Sequence, residues 1–243
     1  MNILAIETTG AQASVALIDE TGQVSLETSD QKMNHLQNLM PMVDMILSKR
    51  GLKIDDLTYI AVSEGPGSFT GIRIGVSSAR ALAQALGLQT IGVPTLKSFL
   101  YHVPDYKGVV CPIFDARRNQ VYGGAYQWMD GQAEEFVPGD AYDLDELLGL
   151  LEQRFQSVSG QKEVTFFGDG IIPYRDQIEA WQQASPNNNM QVFFAADDIR
   201  LQKASSIARL ALELCRSGNR KSLYDLKPVY MRKAEAERKL EGK

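Results

Sequence analysis

The segment AVSEGPGSFTGIRIGVSSARALAQALG, residues 61–87, restricts the possible folds more than any other part of the chain. An apolar run at 59–63 meets a loop holding Gly65, Pro66, Gly67 and Gly71, and a helix-period stretch rich in small residues follows to Leu86. The order is strand, glycine loop, helix. Glycine permits backbone angles closed to other residues, and the first N–H groups of a helix carry partial positive charge. Gly65, Gly67, Ser68, Thr70 and Gly71 therefore suit a cradle for an anion or a nucleotide phosphate. They equally suit a tight strand-to-helix turn that packs Phe69. Neither a Walker A loop nor GxGxxG is present to decide between the two.

The surrounding chain predicts an α/β protein that runs through one pattern twice. Residues 2–7, 13–18 and 24–28 read as a three-strand meander, and 34–50 as a helix ending at Gly51, with a start or kink expected at Pro41. The organising strand and helix follow, then a strand at 89–93 and a short helix at 95–103. The second half gives strands at 108–115, 120–128 and 134–137, then a helix at 144–155 with a capping box from Asp143 and Glu146. A strand at 164–168, a helix at 175–183, a strand at 192–194 and a helix at 204–217 complete it. Such a repeat is what a duplicated lobe with a mixed, helix-covered sheet would give. The expected domains are a first lobe over 1–104, a second over 105–218 and a charged tail over 219–243.

Charge and cysteine usage narrow the function. A formal net charge of −5 over 243 residues argues against a chain that holds nucleic acid by itself on a broad basic face. Cys111 and Cys215 lack CxxC spacing and read as buried thiols of a reducing compartment. With no signal-peptide pattern and no apolar run near 18 residues, the expected location is the cytoplasm, without a membrane partner.

Five motifs together resemble one family. They are Glu7-Thr8-Thr9, the run from Gly65 to Arg73, Asp115-Ala116-Arg117-Arg118, Gly168-Asp169-Gly170 and Pro228-Val229-Tyr230-Met231-Arg232. Taken over nearly the whole chain, they resemble the TsaB (YeaZ) family, a bacterial subunit of the machinery that makes threonylcarbamoyladenosine beside the anticodon of tRNA. The resemblance implies the two-lobed fold of actin, sugar kinases and heat-shock ATPases. It also implies a non-catalytic partner of TsaD, the paralogue that transfers the threonylcarbamoyl group. TsaE, an ATPase, and tRNA would be reached through the complex.

The side chains themselves offer little chemistry beside that resemblance. TsaD-like chains carry a metal-holding His-x-x-x-His pair soon after the glycine-loop helix, and here Thr95 and Phe99 occupy those places. A phenyl ring cannot ligate a metal. Only His35 and His102 exist, far apart, and each reads more simply as a surface or capping histidine. Glu7-Thr8-Thr9-Gly10 keeps one acid and one glycine of a phosphate-binding hairpin, and Asp115 reads as a salt-bridged turn beside Arg117 and Arg118. Gly168-Asp169-Gly170 suits either an adenosine-facing loop or an ordinary turn. No catalytic residue, metal ligand or cofactor is therefore expected.

With little chemistry in view, the helices carry the functional reading. Gly71, Gly75, Ala79 and Ala83 recur every four residues and make a smooth stripe, while Met33, Met40, Met42 and Met45 supply adaptable apolar surface. The expected partner surface comprises Met33, His35, Leu36, Met42 and Met45 on one helix and Gly71, Arg73, Gly75, Ala79 and Ala83 on the next. The plain alternative is that both helices merely cover their own sheet. Without its partner, such a patch would favour a two-fold homodimer. Two other functional classes stay open: an active ATPase or metalloprotease-like member of the fold, and an RNA-binding module using Arg73, Arg80, Arg117, Arg118, Arg232 and Lys233.

Overall fold

Alternation along the strands sets the layers of the molecule. In the computed structural model, residues 1–29, 35–157, 162–184 and 190–232 are described, without the side chains of His35 and Leu36. β1 (Asn2–Glu7) sends Ile3 and Ala5 to one face of its sheet and Leu4 and Ile6 to the other, and all four are fully buried. β2 (Ser14–Asp19) does the same with Ala16 and Ile18 against Val15 and Leu17. A sheet apolar on both faces must be covered twice.

The first sheet has the order β3-β2-β1-β4-β5, where β3 is Val24–Thr28, β4 is Tyr59–Gly65 and β5 is Gln89–Pro94. β1 pairs antiparallel with β2 and parallel with β4, and β4 pairs parallel with β5. One face packs under α1 (His35–Lys49) and α2 (Phe69–Leu86). Pro41 lies inside α1, which starts six residues before it. Gly87 closes α2 in the left-handed conformation, its N–H bonded to the Ala83 carbonyl.

The second sheet repeats this arrangement with β6 (Val109–Asp115), β7 (Gln120–Met129), β8 (Gln132–Asp143), β9 (Lys162–Phe167) and β10 (Met190–Phe194). Its order, β10-β9-β6-β7-β8, is the first sheet's order read from the other edge, with the same parallel and antiparallel pairs. The chain thus has the duplicated two-lobed fold expected for the actin, sugar-kinase and heat-shock ATPase group. Between the sheets, α3 (Thr95–Ser98) runs into a 3-10 turn, Phe99–His102. α4 (Leu144–Gln156) and α5 (Ile171–Ala184) supply buried residues to the second core.

Several local expectations are corrected. Asp143 stands at the N-cap of α4 without a side-chain hydrogen bond, so the capping box does not form. α5 begins four residues earlier than read, because Pro173 sits in its first turn, where a missing N–H costs nothing. The larger correction concerns the end of the chain. α6 (Ala204–Arg216) packs on the first sheet, burying Ile207, Ala208 and Ala211 against Ile3, Ala5, Ala16 and Ile18. Beyond it, residues 220–232 are a packed strap rather than a tail. Lys221 pairs with Thr90 on the free edge of β5, and Leu226 is fully buried in the core beneath α1 and α2. Residues 233–243 lie outside the described residues. Among the described residues, no helix is long and apolar enough to cross a membrane.

Candidate functional site

The glycine loop is where three segments meet. Thr8 and Thr9 end β1, residues 65–68 leave β4, and Val229 arrives on the strap. The Ser68 N–H donates to the Thr9 carbonyl at 2.8 Å, and the Thr8 hydroxyl donates to the Gly71 carbonyl at 2.8 Å. The Gly71 N–H donates to Ser68 Oγ at 3.2 Å, so the Ser68 side chain caps α2 and takes up a donor that an anion would have used. From the other side, the Val229 N–H donates to the Glu64 carbonyl at 2.7 Å. A Cβ at Gly65 would lie 2.3 Å from the Val229 carbonyl oxygen, and one at Gly71 would lie 2.0 Å from that of Thr8. Packing therefore explains these two glycines without a ligand.

The small-residue stripe on α2 has the same cause. Gly71, Gly75, Ala79 and Ala83 are all buried against the chain's own sheet, and a Cβ on Gly75 would meet Thr8 Oγ1 at 2.4 Å. These four residues, expected at a partner surface, instead let α2 sit down on β1 and β4. Met42 is corrected likewise: it is buried among Leu39, Val43 and Ile46. Met45 and Arg73 are exposed. Met33 lies outside the described residues, as do the side chains of His35 and Leu36. The outward faces of the two helices carry Met40, Asp44 and Met45 on α1 and Arg73, Ser77 and Ala81 on α2.

Sequence reasoning missed what stands at the top of α2. Arg73 lies 3.9 Å over the ring of Phe69 and donates from Nε to the Tyr230 hydroxyl at 2.8 Å, while the Phe69 and Tyr230 rings are 4.8 Å apart. Both rings stay more than a third exposed. Arg232 then reaches the second lobe, donating to the Ala116 carbonyl and to Gln120 Oε1. The signal was the Pro228–Arg232 motif, which polar neighbours made look like tail.

Between the lobes lies a cleft of about 600 Å³, lined by both hairpin turns. In the first turn, Glu7 bends back: its Oε1 accepts from the Thr9 N–H at 2.5 Å and from the Thr9 hydroxyl at 2.6 Å. Glu7 is fully buried and its Oε2 has no hydrogen-bond partner, so desolvation raises its pKa. This acid is turned away from any ligand in the cleft.

The second turn is open. Asp115 accepts from the Arg117 N–H at 2.7 Å and from the Tyr174 hydroxyl at 3.0 Å, which replaces the expected salt bridge. Desolvation, with Asp115 adding to it, pushes the Tyr174 phenol up to about 12. Asp169 Oδ1 accepts from the Asp115 N–H at 3.3 Å, and desolvation at the base of the cleft raises its pKa. Arg117, Arg118 and Asn119 all have positive φ, at 63°, 56° and 59°. Each such residue costs roughly 1–2 kcal/mol when it is not glycine, somewhat less for asparagine. The cleft thus offers two carboxylates, with Arg117 and Arg200 also on its wall, a hydrogen-bonding surface for a polar ligand.

The places where TsaD-like chains carry histidines are part of the core. Thr95 is fully buried, its Oγ1 2.7 Å from Ser63 Oγ, and Phe99 packs on Phe114 and Phe167. His102 is half-buried against the core rather than a surface residue. It stacks on Phe99 at 4.9 Å with Nδ1 2.9 Å from the Ile199 carbonyl oxygen, and desolvation lowers its pKa to about 4.

Known proteins match this chain over most of its length. The family model described as TsaD, tRNA N6-adenosine threonylcarbamoyltransferase, matches residues 26–240. The tRNA threonylcarbamoyladenosine biosynthesis protein TsaB of Bacillus subtilis is 35% identical over 179 residues, 74% of this chain and 76% of that protein. The protein of the same name from Escherichia coli is 30% identical over 251 residues and covers both chains completely. The structure of YeaZ from Pseudomonas aeruginosa superposes with a TM-score of 0.75 at 24% identity, covering 94% of this chain and 99% of that one.

Proposed function

Because this chain belongs to the TsaB family of tRNA threonylcarbamoyladenosine biosynthesis, we propose that it acts there as a non-catalytic subunit paired with TsaD. The observation that carries the proposal is the filling of the histidine positions. Thr95 and Phe99 stand buried where a TsaD-like transferase would hold its metal, and neither opens to the cleft wall. The residual acid of the first turn, Glu7, is likewise buried and bonded to its own turn. A chain that resembles a transferase throughout, yet fills these places with core packing, suits a structural partner of the enzyme.

The pairing surface in this proposal is the outer face of α1 and α2, centred on Met40, Met45, Ser77 and Ala81. Exposed methionines beside short side chains let another helix pair lie close and adapt. In isolation the same face would join two copies about a two-fold axis, and light scattering at several concentrations checks this by the appearance of dimer. TsaE and tRNA would meet the chain in the assembled complex, in the cytoplasm.

The deciding experiment is transfer of labelled threonine to tRNA in a mixture of TsaC, TsaD, TsaE and ATP, with this chain present or omitted. Label that requires both this chain and TsaD is the expected result. Transfer by this chain without TsaD would make it the enzyme, and transfer indifferent to it would remove it from the reaction. Ala81→Glu should weaken pairing with TsaD by roughly 100-fold, the ~3 kcal/mol cost of an unpaired charge in an interface, and leave the monomer folded. Normal pairing by that variant would place the interface elsewhere.

A further inference from the structure

We propose that the Arg117–Arg118 turn, with Arg232 beside it, contacts the phosphate backbone of the tRNA on which the complex acts. The proposal rests on the reading of this chain as a subunit working with TsaD. Its ground is a convergence that spacing along the chain does not show. Arg232 donates to the Ala116 carbonyl at 3.3 Å and so lies against the turn that presents Arg117 and Arg118. Three cations from two distant parts of the chain thus form one strip at the cleft mouth.

Their charge is available. Arg50, Arg175 and Arg200 are each paired with a carboxylate, Asp19, Glu179 and Asp197 respectively. Among the described residues, Arg117, Arg118 and Arg232 have no ion pair. Asp115, the nearest acid in sequence, accepts from the Arg117 main chain and from Tyr174.

The turn is also built to hold these side chains out. The Ala116 N–H donates to the Gln120 carbonyl at 2.9 Å, and the Leu144 N–H donates to that of Asn119 at 3.2 Å, so both ends are fixed. Glycine would relieve the left-handed conformation at 117 and 118, yet two exposed arginines stand there. A guanidinium presents several donors in a fixed fork that matches phosphate oxygens. Exposed guanidinium groups on a fixed turn suit the backbone of a polynucleotide better than a small enclosed anion. With a net charge of −5, the chain would contribute contacts to RNA already held by the complex rather than bind it unaided.

The test titrates labelled tRNA with the preformed complex of this chain and TsaD at several ionic strengths, following fluorescence anisotropy. Arg117→Gln with Arg118→Gln should weaken tRNA binding about tenfold at low salt and reduce the slope of log K against log salt by roughly 1.5, about 0.7–0.9 for each lost contact. Arg118→Lys should retain the slope, and Arg118→Glu alone should weaken binding even if the double variant misfolds. Unchanged affinity and slope would overturn the proposal. Loss of co-elution with TsaD in the absence of RNA would overturn it too, by making the strip a protein contact. Should the wild-type chain itself fail to co-elute with TsaD, the subunit reading falls and this proposal falls with it.

Discussion

The two lobes share one topology and part company at their first turns. In each, the segment after the fourth strand presses a glycine onto the first strand or the turn beyond it: Gly71, in the first turn of α2, against the Thr8 carbonyl oxygen, and Gly168, in the loop after β9, against that of Ile113, at 2.0 and 2.1 Å from an added Cβ. The helices leaving these loops differ. α2 continues with Gly75, Ala79 and Ala83 and buries these small residues against its sheet, whereas α5 brings the bulkier Ile171, Tyr174 and Ile178 to its own. Hence Glu7 is sealed under the first turn, while Asp115 remains at the cleft with Tyr174 reaching across to it. The duplicated frame fixes where turns can lie; the bulk of the first helical residues decides whether a turn is closed by packing or left available.

The sharpest way to break this comparison is at Gly71. Gly71→Ala forces a methyl into the Thr8 carbonyl and should cost at least about 3 kcal/mol in urea unfolding, a loss that a merely convenient glycine would not show. Next, Leu226→Ala removes a fully buried strap residue from the first lobe and should cost ~2–4 kcal/mol by the same measurement. Little change would mean that the strap adds nothing to that core.

Glu7 gives a smaller effect that depends on pH. Its folded pKa is raised above the ordinary value of 4.5, so the native state keeps a proton that the unfolded chain releases. Its contribution is therefore fully present below 4.5, falls as pH rises through the window up to the raised native value, and is flat above it. Glu7→Gln keeps an acceptor for Thr9, so the variant should lose that pH dependence and be at least as stable as wild type at pH 7. A marked destabilisation there would mean that the charge itself holds the turn. The smallest effect belongs to Gly149 on the exposed face of α4, where an added Cβ meets nothing within 4 Å. Gly149→Ala should raise stability by about 0.5–1 kcal/mol, the helix-propensity difference alone.

Much of this frame was legible in the residues. The strand-like runs at 2–7 and 24–28 and the glycine stops at 51 and 87 marked strands and helices close to those observed, and the repeat in their order marked the two lobes. The stripe on α2 was legible as a contact surface and illegible as to whose, because small residues four apart suit any close neighbour. Only the position of Thr8, remote in sequence, decides it. The strap was hidden for a different reason. Leu223, Leu226 and Val229 do not fall on a strand or helix period, and the segment's partners, Thr90, Glu64 and Gln120, have no local signature. Arg117 and Arg118 read as bulky obstacles to a phosphate loop, since a left-handed run of three residues without glycine is not something that sequence announces.

The placement of α6 and the strap bears on how the chain can be made. Synthesis proceeds in chain order, and the first sheet is completed by elements that follow the whole of the second. Until residue 216 has emerged, the face of β1 and β2 that carries Ile3, Ala5, Ala16 and Ile18 lacks the helix that covers it. Until residue 226 has emerged, the free edge of β5 and the core under α1 and α2 are also incomplete. The second lobe is thus translated in the middle of the first lobe's folding, and the two should reach the native state together rather than in turn. We expect a fragment ending at residue 104 to be insoluble when expressed alone, and a nascent chain stalled before residue 204 to remain open to protease in both lobes.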